Sequence, residues 1–466
     1  LGAPLTSPAL GELAIPPLAD TDRRLAVLLG LTGYQLSLGR STGSAQASRN
    51  TGDLGLAVGL MRQVTFVGRM SIVKTWNRQD LTIAAATGDA GVNPADPSLG
   101  DAAGAQAAQL FTTNFDNALA TLESRIASGA YDGDPATRAL AEQTLSSGRQ
   151  LADSLSALLV DPASVAAFLP LSTSIAGSSL SARVTEVQAT LSGPLGVTGF
   201  ADLVPLPVNA ATADDVRRYA TVTGGPIGYD RFTSSEVVGP GDVSLGAVFT
   251  PIDRWDAQNG RGVRFAVEGT VRLPTGATAT PDDALGAAAG AGVVRIEGLG
   301  ALDFGWGVLG GRLHGGFATQ RSGTFERRVA APVEVLVPAA RTATVRQSGG
   351  GEWRIGLAPH LRVARFFGLQ VSGSYAQRSA LEFSYATAAD SVPGIPASLL
   401  GESSAASRME LGFGAIYSSS GRREDGTSIR PLDAGWTWRM VVASSGGIQT
   451  RWSAMQVYFR YYAKFF

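Results

Sequence analysis

The chain contains no cysteine, so disulfide staples, thiol chemistry and thiolate metal centres are excluded. Histidine is nearly absent as well, with His314 and His360 the two present. Neither lies in a recognisable nucleophile motif, so no catalytic residue is assigned and an enzyme is not expected. No metal ligand set and no cofactor motif is found. Asp242, Asp253 and Asp256 match no calcium-loop spacing, and with Asp89, Asp96 and Asp101 they read as solvated loop acids. Lys and Arg total 38 against 39 Asp and Glu, and this balance lacks the basic excess of a nucleic-acid binder.

Long apolar runs are missing too. A membrane-spanning helix needs roughly 18 or more apolar residues. Residues 25–31 are too few, and 156–171 are broken by Asp161 and Pro162. The chain starts without Met and without a charged-then-apolar leader, so a processed chain that has lost an export signal is expected. A β-barrel remains open, because its strands carry only an alternating signal about ten residues long.

That alternation is present. Leu54, Leu56, Val58 and Leu60 share one face, and a tight turn near Arg62 leads to Val64, Phe66, Met70 and Ile72. Residues 31–38 alternate weakly and are read as a first strand. After Gly241 the pattern persists. Val263, Phe265, Val267, Val271 and Leu273 oppose Arg264, Ala266, Glu268, Thr270 and Arg272. Similar strands are expected around 243–249, 294–302, 309–317, 353–357, 369–375, 409–417, 436–442 and 455–465. The polar faces hold Arg and Glu mixed with Gly, as suits an enclosed interior where charges must pair. Connections mostly alternate between short and long, as in barrels with short periplasmic turns and longer outer loops. The connection over 421–433 is an exception by being long, and 444–447 by being short.

The middle has helical spacing instead. Phe111, Phe115, Leu119, Leu122 and Ile126 form one stripe; Leu151 and Leu155 belong to a second, Leu180 and Val184 to a third. Helices are expected at about 104–128, 134–160, 176–192 and 212–221. Asp134 with Pro135 opens the second, and Thr212 with Asp215 forms a capping box before the fourth. Most simply the stripes pack on one another as a small bundle. A greasy vestibule and a protein-binding surface are the other readings.

The fold class expected is an all-β transmembrane barrel of about twelve antiparallel strands with a mostly α-helical insertion. Residues 1–30 are an irregular periplasmic tail, 31–77 the first strands, 78–240 a long outer loop with the helical module, and 241–466 the remaining strands. An even strand number puts both chain ends on the periplasmic side. A soluble all-β protein is the alternative, and it requires a second sheet to cover the broad Trp, Phe and Leu faces.

Three stretches carry a family resemblance: NTGDLGLAVGLMRQVTFV at 50–67, GPGDVSLGA at 239–247 and RFAVEGTVRLPTG at 264–276. They resemble outer-membrane proteins of the phenol meta-pathway type, similar to the long-chain fatty-acid transporter group. The resemblance implies passive uptake of small hydrophobic or aromatic compounds across a bacterial outer membrane. It also implies an N-terminal tail that threads the lumen as a plug; the competing expectation is an irregular leader.

Arg69, Arg264, Glu268, Arg272, Arg295, Glu297, Arg312, Glu352, Arg354, Arg408, Glu410, Arg439 and Arg460 are expected to point inward as paired networks. They form either a self-neutralising plug or a polar eyelet. His314 is expected in the lumen and His360 at a strand end. Expected partners are outer-membrane lipid, a small hydrophobic ligand, and a surface protein or further copies of the chain. A structural or partner-binding scaffold is the alternative to uptake.

Overall fold

The computed structural model describes residues 5–31, 33–162, 164–200, 203–256, 259–364, 366–418, 432–447 and 452–461. The first part of the chain runs β1 (Leu5–Ser7), α1 (Leu18–Leu29), β2 (Arg40–Met61), β3 (Val64–Ala84) and β4 (Ala90–Val92). The helical region follows as α2 (Ala102–Ala127), α3 (Pro135–Leu159), β5 (Phe168–Pro170), α4 (Ile175–Ser192) and α5 (Ala213–Thr221). Next come β6 (Ser234–Pro240), β7 (Val243–Asp256), β8 (Arg261–Leu273), β9 (Arg295–Trp306), β10 (Leu309–Gln320), β11 (Gly323–Arg328) and β12 (Thr342–Gly349). The last strands are β13 (Glu352–Ala364), β14 (Phe367–Arg378), β15 (Leu381–Tyr385), β16 (Ala406–Ser418), β17 (Leu432–Ser445) and β18 (Ser453–Tyr461).

Thirteen strands form one sheet, in the order β1-β2-β3-β7-β8-β9-β10-β13-β14-β16-β17-β18 with β6 also on β3. Every pairing in it is antiparallel. The sequence alternation becomes a two-faced sheet because successive side chains of a strand point to opposite sides. One face carries Leu56, Leu245, Val267, Phe317, Leu357, Val371, Phe413 and Val457, all exposed. The other described sheets have three strands and two, and neither shields it: Phe317 remains 61% exposed, Val371 60% and Phe459 74%. The stacked arrangement of a soluble sandwich is therefore not what these strands build.

The opposite face is concave. Arg312 on β10 interacts electrostatically with Tyr458 on β18, five strands along the sheet. His314 on β10 does the same with Arg439 on β17. In a flat sheet five spacings of ~4.8 Å put such groups about 24 Å apart. Their approach requires the sheet to curl with its polar face inside.

The start of the chain differs from expectation. Residues 31 and 33–38 form no strand, and the described segment before them is not irregular. Helix α1 ends at Gly30, whose φ of 66° supplies the left-handed turn and whose N–H bonds Ala26 O. Leu25, Leu36 and Leu38 are all 0% exposed and join the core of the helical region. The weak alternation at 31–38 thus reflects packing against helices. Residues 5–31 are neither a lumen plug nor a loose leader; they are part of the module. As a result β2 starts at the long-loop rim, while among the described residues β18 ends at the rim of short turns. Leaving aside short β1 and β6, the sheet holds eleven long strands among the described residues, where about twelve were expected.

The four expected helices are observed within a few residues of their predicted bounds. Asp134 caps α3 by accepting from Ala136 N, and both bonds of the Thr212–Asp215 capping box are formed. Phe111, Phe115, Leu119, Leu122, Leu151, Leu155, Leu180 and Val184 are all at most 2% exposed and share one core. The bundle reading of the stripes is therefore the correct one, and they leave no greasy vestibule of their own. Gly148 on α3 permits the close approach, because a Cβ there would sit 2.5 Å from Leu119 Cδ2. Strands β2 and β3 overrun the sheet, and Leu81 and Ile83 pack on the module's core.

A small sheet of β11, β12 and β15 builds the rim elsewhere, around buried Val329, Ala343 and Val345. Arg328 clips this rim together. Its side chain, 4% exposed, donates to Ile227 O, Gly228 O, Val337 O and Asp282, and lies over the Tyr229 ring at 4.0 Å. Of the connection expected over 421–433, residues 421–431 lie outside the described residues and 432–433 begin β17; the last residues, 462–466, lie outside them too.

Candidate functional site: the charged concave face

Arginines and carboxylates meet on the concave face because strand register places them on neighbouring or next-but-one strands. The longest array draws on four strands and crosses six, with β10 and β14 lying beneath it. Arg272 on β8 meets Glu297 on β9 at 3.1 Å, and Glu297 meets Arg295 at 2.8 Å. Arg295 reaches Glu352 on β13 at 3.4 Å, Glu352 meets Arg408 on β16 at 3.1 Å, and Arg408 meets Glu410 at 2.8 Å. All lie near the strand ends facing the long loops. Beyond the array, Arg69 pairs with Glu268 at 3.0 Å, Arg264 with Asp253 at 2.9 Å, and Arg312 with Asp303 at 2.6 Å. Arg460 stacks over Tyr458 at 5.1 Å. The paired networks expected from sequence thus account for most of the predicted residues. Asp253 and Asp303 also belong to them, and Asp253 is therefore a strand residue of β7 rather than a solvated loop acid.

Glu352 is the central link, since it bridges two arginines with a side chain only 14% exposed. Removing its charge leaves three arginines sharing two carboxylates in a confined space, with Arg295 held by Glu297 alone and Arg408 by Glu410 alone. Both arginines keep partial solvent contact, so the cost is discounted to roughly 1–2 kcal/mol. Glu352→Gln is expected to lower the urea midpoint of the reconstituted protein accordingly, whereas Glu142→Gln on exposed α3 leaves it unchanged.

Glycine has a role here that the sequence did not reveal. A Cβ on Gly356 would lie 2.5 Å from the His314 ring, and one on Gly310 would lie 2.4 Å from His360 Nε2. The same holds for Gly412 under Arg439 and Gly435 under Tyr458. Each glycine is a floor over which a large side chain of the next strand lies. Both histidines face inward in this way, and among the described residues no cluster suited to a metal ion occurs.

A second feature lies in the module. A cavity of about 660 Å³ is lined by Gly30, Leu31, Gly33, Tyr34, Gly88, Asp89, Leu171, Thr173, Ser174 and Ile175. Two acids stand beside it, Asp22 buried and Asp89 half-buried. Asp22 accepts from Leu36 N at 2.8 Å, and Asp89 accepts from Ser37 N at 2.7 Å and from Tyr34 Oη at 3.2 Å. Asp89, Asp96, Asp101 and Asp242 are therefore not merely solvated loop acids, since each accepts backbone N–H groups that set a loop or helix start.

Burial raises the Asp22 carboxyl from 3.8 to about 6, and nearby Glu12 and Asp89 add to the shift. The folded state then holds this proton more tightly than the unfolded one, so stability falls as pH rises from 3.8 to about 6. Hydrogen exchange over residues 18–38 is expected to quicken across that window, and Asp22→Asn is expected to flatten the dependence.

No family model matches the chain, and no curated protein matches it.

Proposed function

We propose that this chain is an outer-membrane β-barrel that passively admits small hydrophobic or aromatic compounds. The observation that carries the reading is the single large sheet whose uncovered face is apolar and whose concave face is charged. Lipid tails are the solvent that such a face suits, and pairing of strands into a ring removes open edges. Closing that ring sets β18 beside β2, and since both run the same way the seam is parallel.

The aromatic residues fit the same reading. Trp306, Phe367 and Tyr417 lie on the outer face near the short turns, and Trp353, Tyr375 and Phe317 near the long loops. From Phe367 to Tyr375 is eight residues along β14, or about 27 Å of strand. At a tilt of ~40° this covers roughly 21 Å of height, close to the ~25 Å apolar band of such barrels. Uptake rests on the resemblance of 50–67, 239–247 and 264–276 and on the module standing over the long-loop rim with its cavity. The test is entry of toluene and of benzyl alcohol into liposomes containing the protein. Entry faster than into empty liposomes supports the proposal, and equal rates reject it.

A scaffold role is favoured by one feature: Ile175 is 82% exposed and Val27 79% exposed on the module's surface. Deleting residues 100–220 separates the readings, since a transporter changes its flux and a scaffold loses a partner.

A further inference from the structure

On the concave face Arg378 and Arg460 stand outside the ion pairs but have other partners, Ser404 O and the Tyr458 ring, whereas among the described residues Arg354 and Arg439 have neither. Among the described residues, neither Arg354 nor Arg439 is in an ion pair. The carboxylates nearest them in strand register are already engaged. Glu268 holds Arg69, Glu352 holds Arg295 and Arg408, Glu410 holds Arg408, and Asp303 holds Arg312. Arg354 and Arg439 are both exposed, so water reaches them inside the curl. They are also not far from each other, for His314 interacts with Arg354, Arg312 and Arg439 together. These four residues come from β10, β13 and β17, so the cluster exists only because the sheet curls.

Uncompensated guanidiniums facing an aqueous interior raise the local concentration of anions and repel cations. Rings of Arg or Lys are how anion pores obtain their selectivity. Glycine makes room for both side chains at this level: Gly316 pairs with Arg354, and Gly412 with Arg439. We infer that the Arg354–Arg439 cluster around His314 is an anion site that makes the interior selective for small anions over cations. The inference rests on the proposed barrel and deepens it, since a hydrophobic compound bearing a carboxylate would meet the same cluster.

The experiment is reversal potential across a planar bilayer containing the full chain, under a potassium chloride gradient. The expected result is chloride preferred over potassium by several-fold. In R354Q/R439Q the ratio falls to near unity, and in R354K/R439K the preference persists because the charge is kept. Conductance with no anion preference, or with a preference unaltered in R354Q/R439Q, overturns the anion site while leaving an open barrel. No conductance from any of the three proteins overturns the open interior itself, and the anion site with it.

Discussion

Leu357→Arg is expected to cost about 2–4 kcal/mol when the protein is unfolded from lipid vesicles, the penalty for arginine at the middle of a lipid-facing barrel strand. Leu357 lies near the centre of β13, points away from the concave face and is 48% exposed. In water, an arginine at such an exposed place would be tolerated within about 0.5 kcal/mol. The sign and size of the change therefore report the solvent of this face. Thr185→Arg on exposed α4 is the matched control and is expected to be neutral, as no lipid is expected to touch the module. The measurement is the shift of the urea unfolding midpoint, with tryptophan emission as the signal.

The second large effect lies in the module. Phe111 is 2% exposed and stacks on Phe115 with ring centroids 6.0 Å apart. Phe111→Ala removes that ring from a closed core, and such truncations cost about 3–5 kcal/mol. Its core is separate from the sheet's outer face, so the loss should be local. Hydrogen exchange is expected to quicken throughout residues 102–192, with β8 to β17 unchanged. Equal loss of protection in both regions would mean that module and sheet unfold as one unit.

Much of this architecture was legible in the residues, and the reasons for the misses are physical. Strands such as β8 could be read because one face meets charge and the other does not, which writes a period of two into the sequence. The helices were legible because Phe111, Phe115 and Leu119 recur at helical spacing and Asp134 and Thr212 cap them. Helix α1 escaped notice because its 12 residues include Asp20, Asp22, Arg23 and Arg24, which dilute the apolar stripe. Residues 31–38 misled for a related reason: short apolar spacing of Leu36 and Leu38 is equally good for a buried extended loop. The β11–β12 hairpin was hidden because its strands are 6 and 8 residues long, too short for a clear alternation.

At the site, residue type predicted that Arg and Glu would share a face, and β-register then decided who meets whom. Arg295 and Glu352 are 57 residues apart and separated by β10 in the sheet. Nothing in the sequence joins them. The inward glycines were equally silent, because a glycine under His314 and one in a turn look alike in sequence. The exposed pair Arg354 and Arg439 differs from the other arginines only in which carboxylates the strand register brings near, and residue type does not carry that.

The absence of cysteine makes the central claim directly measurable. Single cysteines placed along β13 and β14 can carry a nitroxide spin label against no background, with the protein in lipid vesicles. The account predicts that labels at 353, 355, 357, 369 and 371 collide with oxygen, which concentrates in lipid, and labels at 354, 356, 372 and 374 with a water-soluble nickel complex. Nickel accessibility at both sets alike, or oxygen accessibility that fails to alternate, would contradict a sheet with one side in lipid and the other enclosed.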